Sequence, residues 1–326
     1  MTGLLVVLVL LGAMLHALPG WTRPDVFFAV TIDPAFRKSG AARAILVRYR
    51  MILWAGTAVA VGLGFALGLL AALLAQFAGF GLALAGAHHQ ALAYRAPAGT
   101  VVEVDLAAPK ETLPGGPLFA LAPLAALVLL ALWVRRHWER LPARIPVHWG
   151  FHGADRWVAT TTEGVYGFIA IHFGLCLFFA LAAWGILQRS PRLSGGQAAA
   201  LRDRRFRRLN LKALLAISYF LAAEAWVAFL KPDIIGVWWV LALGLFLAVY
   251  LARLIPLNRQ PVAAPPGDRT PDDCWKMGIL YYNPADPSIF VAKRFGVGYT
   301  LNFGNRWSWT ALGGLIFVVV AAKLLR

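Results

Sequence analysis

The chain has 326 residues, 60% of them hydrophobic and only 14% charged, where a soluble domain of this length carries roughly 25% charged residues. Its 31 Lys and Arg outweigh 15 Asp and Glu to leave a net charge of +16. These cations fall in loops between apolar runs, which points to membrane topology and anionic lipid contact and away from nucleic acid. Cys176 and Cys274 lie in an apolar run and a distant loop, so neither a disulfide framework nor a thiolate zinc site is available.

Apolar stretches recur from end to end, each long enough for about 30 Å of hydrocarbon. They predict transmembrane helices at 3–19, 51–72, 74–93, 117–134, 165–187, 212–230, 234–255 and 307–324. The expected fold is an all-α polytopic membrane protein of about eight spans, with no soluble domain on either side. The first run has no basic region before "LLVVLVLLGAMLHALPG", so it reads as a retained helix rather than a signal peptide. The second and third spans form one apolar stretch of more than 40 residues. A tight hairpin between them is the economical reading, with Gln76, Gly79 and Gly81 giving little to mark the turn.

Asp33-Pro34 can start a helix that continues through "GAARAILVRYRM" into the second span. "LRDRRFRRLNLK" is a basic amphipathic lead-in to the sixth span, expected to hold the inner leaflet. The Pro-rich stretch 258–273 reads as a flexible linker. No repeat of fixed period is apparent. The expected order is a four-helix membrane region over 1–134, an outer loop over 135–164 and three helices over 165–255. A linker over 256–274, a cytoplasmic loop over 275–306 and a last helix over 307–326 complete it.

With eight spans, 23 of the 31 Lys and Arg fall in or beside the loops 20–50, 94–116, 188–211 and 256–306. That bias places these loops in the cytoplasm and both termini outside, in a bacterial inner membrane. The polar cluster "IPVHWGFHGADRW" (145–157) then faces outward.

Two loops carry a resemblance. "LPARIPVHWGFHGADRW" resembles the signature of domain of unknown function 1648 at Pro142, Pro146, His148, Gly153, Asp155 and Trp157, with His152 departing from it. "WKMGILYYNPADPSIFVAKRFGVGYTLNFGNRWSW" resembles domain of unknown function 5808 at Asn283, Pro284, Asp286, Pro287, Phe290, Val291, Arg294, Gly296, Gly298, Asn302 and Phe303. The first domain also occurs in SdpI-type immunity proteins, which protect bacteria from a toxic peptide and relay its presence to a repressor. The resemblance implies a membrane binding or signalling role, with a peptide or small-molecule ligand and a cytoplasmic protein partner, and no enzyme activity.

The chemistry of the outer cluster has two compatible readings. His148 and His152 are four apart, as two metal ligands on a helix face would be, but Pro146, Gly150 and Gly153 forbid that helix. No metal or cofactor is therefore expected. "PVHW" suits an extended strand and "GFHGAD" a turn, with Trp138, Trp149, Phe151 and Trp157 at the headgroup level. A ligand site on that turn would use His148, Trp149, Asp155, Arg156 and Trp157. In the 275–309 loop, Gly296 and Gly298 permit a tight reversal. Lys293 and Arg294 would meet lipid phosphate, and Trp275, Tyr281, Tyr282, Phe290 and Trp307 the interface.

Within the spans, Glu224 is the one carboxylate deep in a predicted helix, with His172 and His16 as possible partners. It either locks two helices or serves an ion or proton path, which keeps a transporter or channel as the competing class. No G-x-S-x-G, H-E-x-x-H or paired intramembrane acid favours an enzyme.

Overall fold

A computed structural model of the chain describes residues 2–97, 111–150, 153–189, 197–232, 236–260 and 270–324. Among them are eight helices: α1 (Thr2–Trp21), α2 (Gly40–Leu67), α3 (Leu69–Leu92), α4 (Gly116–Arg136), α5 (Thr162–Arg189), α6 (Gln197–Leu230), α7 (Val237–Asn258) and α8 (Arg306–Leu324). The first seven are long and apolar enough to cross a membrane. Exposed Leu, Val, Phe and Trp side chains cover their outer faces, as lipid-facing helices require. This is an all-α polytopic membrane protein.

The α2–α3 boundary falls earlier than the sequence suggested. Gly68, at φ 90°, ends α2, a backbone conformation that costs glycine little. Gln76 and Gly79 instead lie inside α3, on the face toward α2. An added Cβ on Gly56 would stand 2.9 Å from Gly79 Cα, so these helices pack backbone to backbone. Buried Gln76 donates to Thr57 Oγ1 at 3.0 Å.

Helix α4 was expected to complete an N-terminal four-helix region, but it packs on α5 and α6. Leu127, Leu130, Val165, Phe168 and Ala225 form the core of that group. Helices α1, α2 and α3 form their own cluster around Leu53, Leu84 and Tyr49. Helix α6 has 34 residues, a length of about 51 Å, so its basic first turns extend past the hydrocarbon layer. There the sequence reading divides: Arg204, Arg205 and Arg208 are exposed, whereas Arg202 and Arg207 are buried. Arg207 donates to Ile186 O at 2.9 Å and Arg202 pairs with Asp203 at 2.7 Å. A helix presents only one face to lipid, and the other is claimed by its protein neighbours.

Four two-stranded antiparallel units decorate the two ends of the helices. At one end lie β1 (Val26–Phe27) with β2 (Val30–Thr31), between α1 and α2. At the other, β3 (Arg144–Gly150) pairs with β4 (Gly153–Ala159) between α4 and α5. Back at the first end, β5 (Trp275–Lys276) pairs with β6 (Leu280–Tyr281) and β7 (Phe290–Ala292) with β8 (Tyr299–Leu301).

The β1–β2 and β5–β6 hairpins are built alike, a similarity that no fixed sequence period announced. Ile32 N–H donates to Asp25 O at 3.0 Å, and Tyr282 N–H to Cys274 O at 2.9 Å. Each is followed by an Asx-Pro pair whose side-chain oxygen accepts from the second residue on, at 2.8 Å for Asp33 and 3.0 Å for Asn283. Both turns are left-handed, through Phe28 and Ala29 in one and Met277 and Gly278 in the other. A non-glycine residue in that region costs about 1–2 kcal/mol. The tertiary structure supplies the compensation: His88 Nδ1 donates to Phe28 O at 2.7 Å, and Arg294 Nη1 to Ala29 O at 3.0 Å. The two tips touch, since a Cβ on Gly278 would sit 3.4 Å from Phe28 O.

Arg294 is the centre of this layer. It is 2% exposed, donates to Thr270 Oγ1 at 3.0 Å, and pairs with Asp272 and with Thr270 O. Its guanidinium lies over Trp275 at 5.8 Å. Asp272 in turn accepts from Thr31 Oγ1 at 2.8 Å and faces Arg95 at 3.5 Å. The expectation that Arg294 meets lipid phosphate therefore fails: acceptors within the protein already engage its N–H groups. Trp275 and Tyr281, expected at the interface, are 2% and 1% exposed and form the small core of the module. Burial pushes the Tyr281 hydroxyl above the usual phenol range.

Asn302, wholly buried, ties the 283–305 segment together. Its Nδ2 donates to Asn283 O and Asp286 O at 2.9 Å, and its Oδ1 accepts from Asn283 N and Gly304 N at 3.0 Å. Gly296 and Gly298 both take positive φ in the β7–β8 connection, where the reversal was expected. Lys293 is exposed. Most of the Pro-rich linker, 261–269, lies outside the described residues.

Candidate functional site

The β3–β4 hairpin supplies the first part of the site. Strand β3 alternates, placing Ile145 at 2% exposure in the α4–α5–α6 core while His148 remains exposed. Register holds from Arg144↔Ala159 to Pro146↔Trp157, then slips at His148↔Arg156 before resuming at Trp149↔Ala154. Such an irregularity redirects side chains at a strand edge. Here His148 and Asp155 meet across the ladder, with Nδ1 of the imidazole donating to Asp155 Oδ1 at 2.5 Å. That hydrogen bond holds the Asp155 carboxyl below its usual range. It also fixes Nδ1–H as the donor in the neutral ring, which leaves Nε2 as an acceptor.

The hairpin tip includes Gly153 at φ 107°. It abuts the α6–α7 connection, where a Cβ on Gly236 would lie 3.7 Å from Gly153 Cα. Phe151 and His152 lie outside the described residues, and with His152 the two-histidine spacing. Among the described residues no group of three or more metal-ligating side chains converges.

Between hairpin and helices lies a cavity of about 190 Å³ lined by Val147, His148, Trp149, Glu224, Gly236, Trp239 and Val240. Glu224 is thus joined to the hairpin cluster. It is half-buried, and among the described residues no hydrogen bond reaches its carboxylate. The indole Nε1–H groups of Trp149 and Trp239 are buried without a hydrogen-bond partner. An unmade bond to a buried donor costs about 1–3 kcal/mol.

The other sequence candidates separate. His172 is buried on α5, donates Nδ1–H to Phe168 O at 2.9 Å, and packs against the Phe168 ring. His16, on α1, accepts from Trp54 Nε1 at 3.1 Å. Among the described residues neither lines the cavity with Glu224, whereas His148 does. Of the expected aromatic belt, Trp138 and Trp149 turn inward onto the core, Trp138 stacking on Tyr166 at 6.1 Å. Trp157 stays 46% exposed, and Arg156 is exposed on β4. Trp239 was missed. Its only sequence signal was the Trp238-Trp239 pair after Gly236, opening an otherwise aliphatic span.

At the far end of α7 the same helix meets the opposite layer. Asn258 Nδ2 donates to Trp21 O at 2.8 Å and to Gly296 O at 3.4 Å. Helix α7 is the most exposed of the candidate spans, with 6% of its window buried, and Tyr250 holds it to α6 by a 2.8 Å bond to Asn210 Oδ1.

No curated protein and no solved structure matches the chain. Two family models do: residues 124–173 match a domain of unknown function (DUF1648), and residues 284–309 match a family of unknown function (DUF5808). The first match covers the end of α4, the hairpin and the start of α5, and the second the Asn302-centred module. The protein is a multi-pass membrane protein carrying both of these regions.

Proposed function

We propose that this protein is a non-enzymatic membrane receptor that binds a ligand beneath the β3–β4 hairpin and relays its presence through α6 and α7. The observation that carries the reading is the cavity itself, where among the described residues no hydrogen-bond donor reaches the Glu224 carboxylate. Its relay element is α7, which lines the cavity with Gly236, Trp239 and Val240 and ends at Asn258 against Trp21 and Gly296. A weakly packed helix contacted at both ends can be biased by occupancy at one of them. The excess of Lys and Arg in the loops of the Arg294 layer supports a cytoplasmic position for that layer and an outer one for the cavity. A bacterial inner membrane, exposed arginines on anionic lipid and a cytoplasmic protein partner fit this arrangement. An SdpI-like immunity role is a special case in which the ligand is a toxic peptide. Among the described residues Glu224 lines this cavity and His172 does not, which favours binding over transport through that pair.

The test fills the cavity without a ligand. Val240→Trp adds an indole at the cavity wall, while Leu241→Trp adds one at a 55% exposed position on the same helix. Hydrogen exchange of 270–305 in nanodiscs should change in the first variant and not in the second. Identical exchange in both would remove the relay.

A further inference from the structure

We infer that the group bound in this cavity is an organic ammonium. The inference rests on the cavity being a ligand site and adds the chemical class. Two lining groups accept hydrogen bonds: the Glu224 carboxylate, with no donor among the described residues, and Nε2 of His148, whose Nδ1–H is committed to Asp155. An ammonium offers three donors and a positive charge to match them. A carboxylate ligand would face Glu224 in a partly desolvated site, where like charges repel strongly. Arg156 sits in register with His148 on the hairpin and is not among the described residues lining the cavity.

The cavity of about 190 Å³ holds the volume of roughly six waters, enough for an aminated head group and a few atoms beyond it. Two sources carry this chemistry, a free small amine and the amino terminus of a peptide, and both place the charged nitrogen at Glu224.

Full-length protein in nanodiscs is titrated with four probes, using tryptophan fluorescence and calorimetry: ethanolamine, glycinamide, acetamide and acetate. A fifth, the tripeptide Gly-Gly-Gly-amide, is compared with its N-acetylated form. Ethanolamine and glycinamide should bind, and acetamide and acetate should bind at least tenfold more weakly. Glu224→Gln should weaken the amines tenfold or more. A free-amine site binds ethanolamine better than the tripeptide; a peptide site reverses that order and loses the N-acetylated form. If acetate or acetamide binds and the amines do not, the ammonium assignment falls while the ligand site stands. If none of the probes binds to wild-type protein, the ligand site itself falls. Probe selectivity in the wild type decides the matter even where a variant fails to fold.

Discussion

Replacing Arg294 with Met tests whether the 270–305 module is held to the rest of the protein by one buried cation. The Arg294 side chain is 1% exposed and that of its partner Asp272 is 6%. Methionine keeps the aliphatic bulk but leaves the carboxylate in place. Removing one partner of a buried pair costs about 3–5 kcal/mol. Thr31 Oγ1 at 2.8 Å and Arg95 at 3.5 Å still reach Asp272, which argues for the lower part of that range. Ala29 O loses its charged donor as well, a further ~1 kcal/mol. About 4 kcal/mol should accelerate sub-global exchange of 270–305 and 26–31 on the order of 1,000-fold. Hydrogen-exchange mass spectrometry in nanodiscs reads that change directly. Arg294→Met with Asp272→Asn should recover part of the loss, because no lone buried charge remains. A single variant that exchanges less than tenfold faster than wild type, or a double variant worse than the single, would refute the clasp.

Gly56→Ala should destabilise the α2–α3 pair by about 1–3 kcal/mol, because the new Cβ meets Gly79 Cα at 2.9 Å. Gly62→Ala, with no neighbour within 4 Å of the added Cβ, should be neutral or stabilising; equal melting shifts in detergent would contradict the close packing. Asn302→Asp should cost on the order of 3 kcal/mol by placing a carboxylate oxygen against backbone carbonyls, and the deficit should shrink in acid as that oxygen regains a proton to donate. A pH-independent deficit in exchange of 283–305 would count against this account. Asp155 has its folded pKa depressed by His148. Its contribution to the hairpin is therefore present above the usual carboxylate range and lost as pH falls through the depressed value, below about 4. Asp155→Asn should flatten that acid limb in exchange of 144–159, and superimposable profiles would show that the pair does not brace the hairpin.

Hydrophobic run length by itself determined the membrane class and the approximate position of all eight helices, because a span must satisfy its own backbone within about 20 apolar residues. Turn chemistry at Gly153, Asn283 and Gly296–Gly298 was readable for the same local reason. The α2–α3 break was not: with Gly62, Gly64, Gly68, Gly79 and Gly81 all available, only the Gly56–Gly79 contact selects the register that leaves Gly68 at the turn. Side-chain destinations were the other silence. Arg294 and Arg205 look equally suited to lipid phosphate in sequence, but one is sealed by acceptors from 29, 270 and 272 and the other is exposed. The partner of Glu224 was sought among intramembrane histidines because hydropathy sees only its own span. The fold instead lays the His148 strand over the end of α6 and brings Trp239 from the next helix. A cavity made by three segments exists only where they meet, and no one of them encodes it.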